Sequence, residues 1–149
     1  MALDSGSHLI LGAKASTGAC GDQPFLPGLL ADAKRRWPAV RCLVADAGYD
    51  SEANHRFARL TQGVRSIIPA KAGRPTSKPP TEPLRRNMHH RFGRKADAAL
   101  YGQRWQSETG YSMIKRNLGS AMRARSAVGR RHELLLRVLA HNIMIQAQH

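Results

Sequence analysis

Two acidic residues in this sequence stand where chemistry is possible. Asp46 closes the short apolar run Cys42–Ala45 and is followed by Ala47, Gly48 and Tyr49. In open α/β sheets ligands bind outside the carboxyl ends of the strands, so an acid at such an end faces a cleft from a rigid element. An aspartate that only caps the turn after a strand has the same placement. Glu108 belongs to a second pattern, Tyr101, Arg104, Glu108 and Lys115, spaced 3, 4 and 7 residues apart. At about 100° per residue these four fall within a sector of about 60° on one helix face. Glu108 is the acid of that face, between Arg104 one turn earlier and Lys115 two turns later. An ordinary solvated face with an i,i+4 ion pair has this form, worth roughly a few tenths of a kcal/mol. So does a half-buried carboxylate needing cations or a metal ion, since Trp105, Tyr111, Met113 and Ile114 surround the stripe. Spacing alone leaves both readings open.

The other candidates are mostly cationic. Arg85, Arg86, His89, His90, Arg91, Arg94 and Lys95 form either a phosphate-binding patch or a solvated loop, and Arg123, Arg125, Arg130 and Arg131 pose the same choice. The net charge favours nucleic-acid contact for both. No feature points to base-specific readout. His8, His55, His132 and His141 are dispersed without ligand spacing, which argues against metal binding by them. Trp105 is expected in the core rather than stacked on a flipped base, and Cys42 and Leu43 are expected in the core as well. Tyr49 either supports the turn after Asp46 or simply packs.

The elements that must position these residues follow from the apolar pattern. Strands are expected at 7–15, 41–46 and 64–70, and helices at 24–36 and 51–61, with Asp22 a candidate N-cap for the first and Asp50 or Ser51 for the second. Gly63 is the expected stop of the second helix. Strand, helix, strand with short links implies a parallel pair and an α/β sheet. Residues 71–84 contain four prolines and no apolar periodicity, and read as an internal loop between halves. A basic stretch (85–95), a long helix over about 95–118 ended by Gly119, a basic link (123–131) and a last helix over 132–147 complete the chain. The last helix carries Leu134, Leu135, Val138, Leu139, Ile143 and Met144 at core-facing spacing.

Composition narrows the class. The chain has 149 residues, with 24 Lys+Arg against 10 Asp+Glu and a net charge of +14. Residues 84–137 hold 13 Lys/Arg against three acids, so +10 of the +14 lies there. Such a surface attracts polyanions, nucleic acid first among them. No apolar run is long enough to span a membrane, and the start lacks the basic and apolar regions of a signal peptide. Two cysteines without a Cys-x-x-Cys pattern argue against a disulfide framework and for a reducing cytoplasm.

Tyr101-x2-Arg104-x3-Glu108-x6-Lys115 resembles the Tyr-Arg-Glu-Lys signature of DDE-type insertion-sequence transposases. Segments 44–56, 67–75 and 101–125 are also similar to that superfamily, and the likeness runs from about residue 5 to residue 146. The resemblance implies a ribonuclease-H-like mixed sheet with helices, in which three carboxylates bind two divalent ions, Mg²⁺ or Mn²⁺. It matches Asp46 to the second acid and Glu108 to the third, and places Tyr101, Arg104 and Lys115 on the DNA side. Two ions about 3.5–4 Å apart would serve both sides of an in-line displacement at a phosphodiester, and hard cations select carboxylate oxygens. The implied partner is double-stranded DNA, as transposon ends and target, handled by a homo-oligomer in the bacterial-type cytoplasm at the nucleoid. DNA contacts are expected from Tyr101, Arg104, Lys115, Arg123, Arg125, Arg85 and Arg86.

The family's first acid lies on an earlier strand, and only 45 residues precede Asp46 here. Asp4 is the one candidate substitute, and it matches a non-catalytic position. The expectation is therefore residues 1–149 as a partial DDE catalytic domain lacking the first strand and first acid. Its function is metal-dependent strand cleavage and transfer by a truncated transposase. The competing reading is a non-catalytic DNA-binding remnant that modulates a full-length transposase. A basic RNA-binding or ribosome-associated protein fits the composition but leaves the Tyr101–Lys115 stripe unexplained.

Overall fold

A computed structural model describes residues 1–15, 21–70, 80–92 and 94–148. The chain divides into two units, one of Gly21–Arg104 and one of Met1–Cys20 with Trp105–His149. The fold is α/β, with helices beside two small sheets, one antiparallel and one parallel. This agrees with the expected ribonuclease-H-like class.

In the Gly21–Arg104 unit, α1 (Leu26–Arg36) buries Leu26, Leu29, Leu30 and Ala33, the i, i+3, i+4, i+7 face that the sequence shows. Strand β3 (Cys42–Val44) pairs in parallel with β4 (Arg65–Ile67), Leu43 opposite Ser66. Between them α2 (Glu52–Arg56) starts where the Ser51 hydroxyl accepts the Asn54 N–H at 3.2 Å. The helix then widens over Phe57–Thr61, where the Gln62 N–H bonds the Phe57 carbonyl five residues back. Gly63 stops it at φ +62, a left-handed conformation that glycine adopts without a Cβ penalty. Leu26, Leu30, Ala58, Val64 and Ile68 form the core, lined by Val40, Leu43, Ala45, Tyr49 and Phe57. Ser51→Ala removes the cap and is expected to lower stability by about 1 kcal/mol. The urea midpoint reads this, and Ser51→Asp should restore it.

Beyond the Pro-rich segment, whose residues 71–79 lie outside the described residues, the structure departs from the sequence reading. The basic stretch forms a helix, α3 (Pro83–Phe92). Glu52 explains it, accepting the N–H groups of Leu84 (3.1 Å) and Arg85 (3.0 Å) that the first turn leaves unpaired. The long helix expected over 95–118 is two helices, α4 (Lys95–Gly102) and α5 (Trp105–Leu118). At the break Gln103 N–H bonds Leu100 O and Arg104 N–H bonds Tyr101 O, tight three-residue closures that end α4. The single-face stripe of Tyr101, Arg104, Glu108 and Lys115 is therefore interrupted. Cys42 is exposed rather than in the core.

In the other unit, β1 (Ala2–Leu3) and β2 (Ile10–Gly12) make an antiparallel hairpin. Asn142 clamps β2 at both backbone groups of Ile10, accepting Ile10 N–H at 2.8 Å and donating to Ile10 O at 3.0 Å. Gly110 in α5 is buried under Leu3. The last helix, α6 (Ala127–Gln146), begins five residues earlier than expected, at a Ser126 cap on Gly129 N–H. Gly119, at φ +89, ends α5 as expected. Leu135, Leu139 and Ile143, expected in the core, are 44–56% exposed, because α6 packs through Leu134, Val138, His141 and Ile145 instead. Trp105 is likewise exposed. Among the described residues no helix is long and apolar enough to cross a membrane.

Candidate functional site

Asp46 follows β3 and caps the turn Ala47–Tyr49, its Oδ1 accepting the Gly48 N–H at 2.7 Å. Its side chain is 59% exposed, and Oδ2 lies 4.0 Å from Arg104 Nη1. Arg104 also sits over the Tyr101 ring, 6.0 Å from the centroid, while Tyr101 meets Phe92 edge-on at 4.9 Å. The break after α4 thus returns Arg104 toward the end of β3, and Asp46, Tyr101 and Arg104 come together. The turn-capping reading of Asp46 holds, and its second carboxylate oxygen faces Arg104.

A second carboxylate joins them that the sequence reading placed only at a helix start. A Cβ on Gly48 would lie 2.9 Å from Asp22 Oδ2 and 3.5 Å from Asp46 Oδ1, so the two acids flank this glycine. Asp22 stands at the N-cap position before Gln23–Phe25 and makes no capping hydrogen bond there. Burial pushes the Tyr49 phenol up, and the negative charges of Asp22 and Asp46 add to it. The signal in the sequence was Gly48 itself, a glycine two residues after a strand-end acid, where only hydrogen leaves room for a neighbour.

Glu108 and Lys115 lie on α5, in the other unit. Seven residues apart on one continuous helix, they share a face. Lys115 Nζ stands 4.5 Å from the centroid of the Tyr111 ring, a cation–π contact one turn long. Arg123 and Arg125 are exposed on the link before α6, and Arg86 on α3. Arg85 is committed within the molecule. Its guanidinium donates to Asp50 at 2.7 and 3.1 Å and to Glu82 at 2.8 Å, and these carboxylates raise its pKa further.

Asp50, His55 and Ser66 form a chain resembling a nucleophile triad. His55 Nδ1 is 2.8 Å from Ser66 Oγ, and Nε2 is 3.4 Å from Asp50 Oδ1. His55 and Ser66 have no exposed surface, and Ser66 Oγ also accepts from Arg59 Nε at 2.8 Å. A nucleophile must be reached by its substrate, so this chain is structural.

The donor set decides whether the two-metal centre fits. All ten acids of the sequence are among the described residues. Asp4 turns its carboxylate into its own hairpin, accepting Ser7 N–H at 2.8 Å and Ser7 Oγ–H at 2.6 Å. Asp97 is buried against Arg65 and Arg91, Asp32 pairs with Arg35, and Asp50, Glu52 and Glu82 hold α3. Among the described residues no group of three His, Cys, Asp or Glu side chains could hold a metal ion. A hard dication takes about six oxygens, and Asp22 and Asp46 supply few of them. The residues gathered here do not fit the complete centre.

The family model described as transposase DDE domain matches residues 1–143. No curated protein matches the chain. No solved structure matches it.

Proposed function

This chain belongs to the transposase DDE domain family, and we propose that it binds the DNA of a transposon while lacking strand cleavage of its own. The family acts on DNA and depends on divalent metal. The observation that carries the reading is the Asp46–Arg104 pairing beside Tyr101 at the end of β3, set against the commitment of Asp4 to its hairpin. In this reading Arg104 and Lys115 meet phosphates as cations, and Tyr101 stacks or hydrogen-bonds beside them. Asp46 and Glu108 are the acids that the family resemblance assigns to Mg²⁺ or Mn²⁺, and Asp22 is the acid that stands beside Asp46. These acids leave such a centre short of oxygen ligands, so metal is held weakly and turnover is lost.

Incubating the full chain with supercoiled plasmid and Mg²⁺ or Mn²⁺ tests this. The expected result is retarded DNA without nicking. Metal-dependent nicking that Asp46→Asn and Glu108→Gln both abolish would overturn it in favour of a complete transposase. Amides are poorer ligands than carboxylates for hard cations, so both substitutions should silence a real centre.

A further inference from the structure

The link between α5 and α6, residues 119–126, is held by two side chains of α6. Glu133 accepts the N–H of Arg123 at 2.9 and 3.1 Å and that of Ala124 at 2.9 Å. Arg137, one turn on, donates to the carbonyls of Gly119 at 2.6 Å and Ala121 at 2.5 Å, and to Glu133 at 2.6 Å. Both side chains are largely sheltered, 21% and 14% exposed. The two backbone N–H groups, with Arg137, hold the Glu133 carboxyl below the usual carboxylate range. Gly129 completes the fit, since a Cβ there would lie 3.0 Å from both Ala124 Cβ and Ser126 Oγ. Arg123, Arg125, Arg130 and Arg131 remain exposed on the outside.

A loop of small residues and arginines has little reason to keep one shape unless other groups satisfy its main chain. Here an acid sits in the most basic part of the chain, where simple attraction for a polyanion would exclude it, and it faces the backbone. We propose that Glu133 and Arg137 are positioning residues for DNA: they hold the 119–126 link so that Arg123 and Arg125 meet backbone phosphates without an ordering cost. This rests on the DNA-binding reading above. Arg137 is an internal strut whose guanidinium is already committed.

The test exploits a sign. Glu133→Gln raises the net charge by one, so plain electrostatics expects tighter DNA binding, whereas a positioning role expects weaker binding. Anisotropy of a fluorescein-labelled duplex, titrated with the full chain over a salt series, reads both. The expected loss is roughly three- to tenfold, with the salt slope smaller by about one. In an Arg123→Ala/Arg125→Ala background, Glu133→Gln should bring no further loss, because the residues it positions are gone. Trypsin cleavage after Arg123 and Arg125 should also quicken in Glu133→Gln without DNA.

Tighter or unchanged binding by a folded Glu133→Gln chain overturns the proposal. If that variant fails to fold, Arg123→Ala/Arg125→Ala, altered only at exposed positions, carries the test. It should flatten the slope by about two, and an unchanged slope overturns the inference while leaving DNA binding in place. No binding by the unmodified chain would instead remove the functional reading, and the inference with it.

Discussion

Asp50→Ala is expected to destabilise the Gly21–Arg104 unit by about 3–5 kcal/mol. The carboxylate is buried and takes three guanidinium contacts from Arg85, at 2.7, 3.1 and 3.1 Å. It also faces His55 Nε2 at 3.4 Å. Removing it strands one side chain with no exposed surface and leaves the Arg85 cation, 27% exposed, without its main partner. The damage spreads to α3, because the residue that Asp50 grips lies in that helix's first turn. Asp50→Asn keeps the shape and some hydrogen bonding but not the charge, so its cost should be smaller. Replacing Asp50 and Arg85 together by leucine should recover much of the loss, since a buried pair is worth less than the penalty of breaking it. Urea unfolding measures all three. A fall below about 1 kcal/mol for Asp50→Ala would show that Arg85 finds water or Glu82 as readily as Asp50.

Much of the fold was legible where single residues punctuate the chain. Ser51, Gly63 and Gly119 act within one turn, through a hydroxyl on an N–H or through left-handed backbone, so the sequence predicts their effects directly. The parallel β3–β4 pair followed from strand, helix and strand with short links. Distant groups decided the rest. Nothing local marks 83–92 as a helix, because Glu52 completes its first turn from 32 residues away. Periodicity runs through Gln103 and Arg104, both good helix formers, and only Gly102 hints at the break that brings Arg104 to Asp46. In α6 leucines and isoleucines occupy two faces, so the pattern could not choose which one packs.

The candidate site divides the same way. Asp46 was visible from its strand, and it caps the turn that follows. Its neighbour Asp22 was not, since their approach across Gly48 joins residues 24 apart in sequence. Arg85 shows the reverse error of scale. It is one basic residue among many in the composition, yet the structure makes it a strut.

That distinction between structural and presented cations sets the last expected result. The affinity of the full chain for duplex DNA should fall by about three orders of magnitude between about 50 and 200 mM salt, the response to roughly six phosphates neutralised. Lys115, Arg116, Arg123, Arg125, Arg130 and Arg131 are all exposed, and no acid interrupts residues 115–131. Elsewhere several arginines are paired with acids: Arg65 and Arg91 with the buried Asp97, Arg85 with the buried Asp50, and Arg35, itself exposed, with Asp32. The net charge of +14 therefore overstates what a phosphate backbone meets, and the 115–131 stretch carries a disproportionate share. Exchanging Arg123, Arg125, Arg130 and Arg131 for glutamine should flatten the slope by about three to four, at about 0.9 per phosphate. Arg35→Gln, an equal loss of charge per residue from a side chain paired with Asp32, should leave the slope nearly unchanged. Equal effects per charge from both substitutions would mean that DNA responds to the overall field of the protein. A selective loss would place the contact on the link and the start of α6, where Glu133 and Arg137 hold the backbone still.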